Sequence, residues 1–284
     1  MKLNKKVKVI QYLHGTNWLP AAVSAWSLRK NAGFPQSATY TLYTTTPENF
    51  DVPELRRAFD SVLPPPPAAE VEKLCALDWE NVENPVAEKQ KALYPPDFRK
   101  YCLTKFLLWL REPCASRELV LHVDYDTLCV GSLLEAVPTG GKAWSAFRYQ
   151  NTRAQGILVN TTNNGFLYKN SRFGTLGLDK LIETPLWDLD IYRDSLKLCP
   201  WGDEVCTAWF GREYGWDTLQ ELDSRFNRNA RAHVLERRTL EDADVRLVHW
   251  NGTNKPWNPA PPLVKLAARW EAIRDEFLQD TCQS

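Results

Sequence analysis

A chain of 284 residues with 44% hydrophobic and 12% aromatic content can bury a sizeable core, and it reads as a single domain over 1–284. Its 35 basic residues balance its 35 acidic ones, which excludes a general nucleic-acid or anionic-membrane binder on bulk charge. No run of about 18 apolar residues and no signal-length apolar stretch occurs, so a cytoplasmic protein with no transmembrane segment is expected.

In chain order, Val7 to Leu13 reads as a short buried strand, and Trp18 to Arg29 as a helix with Ala21, Ala22, Ala25 and Leu28 on its inner face. Ala38 to Thr44 alternates as a second strand. Val52 to Leu63 reads as a helix, with Pro53 and Glu54 suited to its first turn. Strands alternating with helices imply a mostly parallel sheet flanked by helices, an α/β architecture. Pro64 to Pro67 punctuates the chain without dividing it, because no charged or Gly/Ser-rich tract follows.

Phe98 to Leu110 reads as a helix and leads to the strand from Leu119 to Val123. Ala143 to Phe147 and Gly156 to Asn160 read as further strands, while Thr161 to Pro200 has no clear pattern. Glu204 to Phe210 reads as a helix and Arg246 to Trp250 as a strand. Leu263, Leu266, Ala267, Trp270, Ile273 and Phe277 are at helical spacing in a C-terminal helix over about 262–279.

The seven cysteines, at 75, 102, 114, 129, 199, 206 and 282, are odd in number and lack CxxC spacing for zinc or redox chemistry. Reduced thiols are expected, Cys199 and Cys206 being a pair that could bridge.

Chemistry concentrates in two separated segments. The apolar run Leu119-Val120-Leu121-His122-Val123 ends in Asp124-Tyr125-Asp126, and alternation along an extended chain lets the two carboxylates converge while Tyr125 turns away. Such a pair suits a divalent cation. Oxygen ligands fit magnesium, calcium or manganese, and an added imidazole, His249, moves the preference toward manganese. Gly252 and Lys255 follow His249 closely, so one loop offers a ligand, an unobstructed backbone amide and an ammonium. Those are the needs of a metal-bound diphosphate, whose developing charge fixed cations stabilise on departure.

The combined pattern resembles glycosyltransferase family 8, the retaining enzymes of GT-A fold that include glycogenin. The resemblance spans about residues 7–258 and is carried by six segments: Val7 to Arg29, Leu103-Thr104-Lys105-Phe106, Leu121 to Val130, Gly156 to Asn160, Trp201-Gly202-Asp203-Glu204 and His249 to Trp257. It implies a single Rossmann-like sheet, with Asp124, Asp126 and His249 holding Mn2+, or Mg2+ in its place. Gly252 and Lys255 would bind the diphosphate of a UDP-sugar, and Lys105 would reach the diphosphate or the sugar. The nucleoside would lie on the loop that includes Tyr12, Leu13, His14 and Trp18, near Tyr125. Asp203 and Glu204 would bond sugar or acceptor hydroxyls, and Glu204 is also a candidate nucleophile.

Two departures stand out: Ala154-Gln155 where the family has Asn and a small residue, and Asp203-Glu204 where it has Asp-Gln. The activity implied is manganese-dependent transfer of a hexose, glucose or galactose, to a hydroxyl acceptor, with a homodimer possible. Two other readings compete. A sugar nucleotidyltransferase would carry a glycine-rich phosphate loop near the first strand, for which His14-Gly15-Thr16 is thin. A scaffold that binds nucleotide sugar without turnover would keep the same site.

Overall fold

The computed structural model describes residues 3–65, 71, 96–115, 117–142, 144–154, 157–170, 219–230, 244–250, 255–258 and 264–282. Alternation decides which face of the sheet each strand residue serves. In β1 (Lys6–Leu13), Val7, Val9 and Leu13 join the main core, whereas Ile10 and Tyr12 are buried on the opposite face. In β4 (Glu118–Val123), Leu119, Leu121 and Val123 join that core, and Val120 and His122 turn to the other side.

The main core lies under α1 (Leu19–Asn31), α2 (Pro53–Ala58) and the C-terminal helix, here α4 (Val264–Cys282). Helix α1 is nearly all small or apolar and is buried on most of its circumference, with Ala21, Ala22, Ala25 and Leu28 fully covered as their spacing implies. Arg29 and Lys30 sit in its last turn, where cations favour the helix dipole. Gly33 then takes φ +75°, the left-handed turn that ends many helices, and a Cβ there would meet Ser132 Oγ at 3.2 Å. Leu266, Ala267, Trp270, Ile273 and Phe277 of α4 are all buried. Lys30 pairs with Glu276, and Arg57 with Asp280 at 3.5 Å, tying α4 to α1 and α2. Helix α3 (Pro96–Arg111) supplies buried Leu107, Leu108 and Trp109, outside the main core, and Trp109 lies 6.3 Å from the ring of Trp144.

The seven-stranded sheet runs β3-β2-β1-β4-β7-β6-β8, where β2 is Thr39–Thr44, β3 Ser61–Leu63, β6 Trp144–Ala154, β7 Ile157–Asn170 and β8 Leu219–Leu222. The first four strands in that order are parallel, β7 is antiparallel to both neighbours, and β8 is parallel to β6. A small second sheet runs β5-β10-β9, from Thr127–Cys129, Leu247–His249 and Arg228–Asn229. The α/β architecture expected from the alternating pattern is present, with its C-terminal helix.

One expected helix is two elements. Over 52–63 the helix stops at Ala58, Phe59 turns extended, and Ser61–Leu63 forms edge strand β3 beside β2. Asp60 explains the break: its backbone N–H donates to Tyr40 O at 2.8 Å, and its carboxylate accepts Tyr40 N at 2.7 Å and Arg29 Nη2 at 2.9 Å. Three tertiary bonds at one residue outweigh a few tenths of a kcal/mol of helix propensity. The strand expected over 156–160 extends on to Asn170, through a stretch without periodicity. The helix expected over 204–210 lies outside the described residues.

Candidate functional site

Parallel order reverses between β1 and β4, since β1 leads through α1 to β2 on one side and has β4 on the other. Ligand crevices of open sheets form outside the carboxyl ends of strands at such a reversal. Asp124-Tyr125-Asp126 emerges there from β4, and the chain folds straight back into β5. Strand β10 pairs antiparallel with β5, placing His249 opposite Thr127. The Trp250 N–H donates to Asp126 O at 3.0 Å, so the backbone of the second motif holds that of the first.

The three candidate ligands meet: His249 Nε2 lies 3.3 Å from Asp126 Oδ1 and 3.5 Å from Asp124 Oδ2. One ligand atom from each of Asp124, Asp126 and His249 falls within 4.8 Å of the others. At the back of the ring, His249 Nδ1 lies 3.0 Å from Asn227 Oδ1. A carbonyl oxygen can only accept, so Nδ1 donates to Asn227 and Nε2 is the ring nitrogen that faces the carboxylates, where a proton or a cation can join all three. Three electron-pair donors converging in a buried place are satisfied by a cation. Two carboxylates and one imidazole make a ligand set that could hold a divalent ion.

Both lysines are at the same point. Lys105 on α3 donates to Asp124 Oδ1 at 2.7 Å, with side-chain exposures of 8% and 7%. Lys255 donates to Asp126 and, at 2.9 Å, to Trp250 O. Burial works to raise the Asp126 carboxyl, but the His249 ring and the Lys255 ammonium outweigh it and hold the group well below the usual carboxylate range. The arrangement keeps two cationic side chains beside paired carboxylates, where a second, mobile anion can compete for them.

The remaining candidates divide. Tyr12 is 3% exposed and stacks on Tyr101 at 5.2 Å, whereas His14 is exposed, 5.8 Å from the same ring. Leu13 packs into the main core, leaving its backbone to the loop, and Trp18 packs partly buried against the same core. Tyr125 stands edge-on to Tyr101 at 6.5 Å and stacks on Trp257 at 6.3 Å. A row of rings thus borders the carboxylates from Tyr12 to Trp257. Gly252, Asp203 and Glu204 lie outside the described residues, as do Gln155 and the Cys199 and Cys206 pair.

Two neighbours of the site escaped the sequence reading. Tyr101 precedes Lys105 by one helical turn and puts its ring 5.3 Å under the Lys105 ammonium, a signal that i, i+4 spacing carries. Asn227 gives no such signal, being brought to His249 by the parallel pairing of Val248 with Arg228.

No family model matches the chain, and no curated protein does. Solved structures do. The galactosyltransferase LgtC, in complex with donor and acceptor sugar analogs, superposes with a TM-score of 0.55 at 15% identity, over 95% of this chain and 95% of that one. The glycosyltransferase GlyE of Streptococcus pneumoniae TIGR4 gives a TM-score of 0.54 at 14% identity, over 97% of this chain and 65% of that one. At such identities the likeness is one of fold: the chain has the architecture of the GT-A glycosyltransferases.

Proposed function

We propose that the chain is a retaining glycosyltransferase of the family 8 type, moving glucose or galactose from a UDP-sugar to a hydroxyl acceptor with Mn2+. The observation that carries the reading is the meeting of Asp124, Asp126 and His249 between two lysines at the sheet's reversal point. Held by those three residues, a divalent ion supplies Lewis acidity to the departing diphosphate.

The chain's own groups do the rest. Lys255, with Gly252 in the same loop, binds the diphosphate oxygens, and Lys105 reaches the diphosphate or the sugar from α3. Fixed ammoniums in a poorly solvated site stabilise developing negative charge without reorganising. The rings from Tyr12 to Trp257, with His14 at the loop's mouth, border the nucleoside and keep water from the carboxylates. Asp203 and Glu204 bond hydroxyls of sugar or acceptor.

The test is a panel of UDP-sugars scored for UDP release with and without Mn2+, and for the product's anomeric configuration by NMR. Manganese-dependent release that Asp126→Ala abolishes, with retained configuration, supports the proposal. UDP binding with no turnover of any donor would make the chain a scaffold, and pyrophosphate release from UTP with a sugar phosphate would make it a nucleotidyltransferase. Glu204→Gln addresses the nucleophile role, since undiminished transfer removes it.

A further inference from the structure

Behind the carboxylate turn, away from the rings and lysines, runs a chain of buried polar groups that apolar packing alone would not call for. Gln11, on the α1 side of β1, donates from Nε2 to Ser24 Oγ at 2.8 Å. Ser24 Oγ lies 3.0 Å from Thr127 Oγ1, and Thr127 Oγ1 donates to Asp124 O at 2.8 Å. The three side chains belong to residues 0%, 0% and 1% exposed.

Each hydroxyl has one proton, which fixes the direction of the chain. Thr127 spends its proton on Asp124 O, so Ser24 must donate to Thr127, and Ser24 can then only accept from Gln11. An amide placed the other way round would turn an acceptor to Ser24, whose proton is already committed. The present orientation leaves Gln11 Oε1 buried without a partner among the described residues, a cost of about 1–3 kcal/mol that only a worthwhile gain at the far end offsets. One turn along α1, Ser27 Oγ donates to Ser24 O at 2.7 Å and accepts Cys129 N at 3.0 Å, so the helix grips β5 at a second point.

The far end is the carbonyl of Asp124. Trp250 holds that of Asp126 from the opposite side. Between them the two carbonyls set the pitch of the turn, and so the separation at which the carboxylates face His249.

We infer that Gln11, Ser24 and Thr127 are positioning residues: a one-way hydrogen-bond relay from β1 through α1 that fixes the Asp124-Tyr125-Asp126 turn in its metal-binding shape. The inference deepens the proposed function and rests on it for the identity of the ion. Outer partners that orient metal ligands commonly change affinity by 10-fold or more when removed.

The experiment compares Thr127→Val, which keeps the shape and loses the hydroxyl, with Thr127→Ser, which keeps the hydroxyl, and with Ser24→Ala. Mn2+ binding is followed by the EPR signal of the free ion, and hydrogen exchange of the segment from Leu119 to Val130 is measured without metal. Thr127→Val and Ser24→Ala should weaken Mn2+ by about 10-fold and speed exchange of that segment. Saturating Mn2+ should restore kcat to within about twofold, because the relay touches no substrate, and Thr127→Ser should match the unaltered chain throughout. Unchanged exchange and Mn2+ affinity in Thr127→Val and Ser24→Ala, or an equal loss in Thr127→Ser, would overturn the relay. Should Thr127→Val not fold, Ser24→Ala decides the matter alone. If the unaltered chain binds no Mn2+, the proposed function fails, while exchange in the metal-free protein still judges the relay.

Discussion

Asn227 Oδ1 lies 3.0 Å from His249 Nδ1, on the side of the imidazole away from Asp124 and Asp126, and so holds the ring with Nε2 toward them. Asn227 is 1% exposed, which keeps the bond out of bulk solvent.

Asn227→Leu therefore weakens Mn2+ by about 10- to 100-fold, and Asn227→Asp, which restores an acceptor, recovers most of it. Titration calorimetry with Mn2+ on both variants checks this. Equal losses would show that the bond matters for packing alone.

The two lysines differ in burial, and their removal should differ in kind. Lys105→Ala takes the partner from a buried carboxylate and costs roughly 3 kcal/mol, the lower end for a broken buried pair. Lys255 is 20% exposed in its side chain, and Lys255→Ala should raise KM for the donor with a much smaller fall in Tm. Thermal unfolding beside donor titrations separates the two.

Burial pushes the Cys129 thiol up to about 12, against a smaller opposing effect from the Gly131 backbone. The folded chain thus keeps this proton above about pH 8.5, where an unfolded chain releases it. Stability from this group is complete below that pH and falls as pH rises toward the folded value. Iodoacetamide at pH 8.5 should accordingly spare Cys129 in the folded protein and modify the half-buried Cys114 before it, as peptide mass mapping would show.

Asp60→Ala removes both side-chain bonds that secure β3 at the sheet edge, to Tyr40 N and Arg29 Nη2. A loss of about 1–2 kcal/mol is expected in urea unfolding. Asp60→Asn, which keeps an oxygen for Tyr40 N, should lose less.

Regular patterning made β1, α1, β2, α3, β4, β10 and α4 legible, because each has a face that the core needs apolar. Where tertiary bonds overrule local preference, the sequence misleads: Asp60 turns a helix-like stretch into an edge strand. Short strands such as β5 and β9 have too few residues for any period and exist because β10 pairs with both. Asp124, Asp126, His249, Lys105 and Lys255 were found as residue types at family spacing, and the structure brings all five to one place. Asn227 and the Ser24 to Thr127 contact were invisible, since ordinary polar residues far apart in the chain acquire meaning only from the fold.

The Trp250 amide bonded to the Asp126 carbonyl joins residues more than a hundred positions apart. During synthesis the carboxylate pair leaves the ribosome long before its histidine, with nothing yet to close the ligand set. Contacts between such distant residues form late, after the cost of closing a long loop has been met. On the proposed function, a nascent chain would therefore be unable to hold the ion until nearly all of it has been made, and ion uptake would become a report on finished folding.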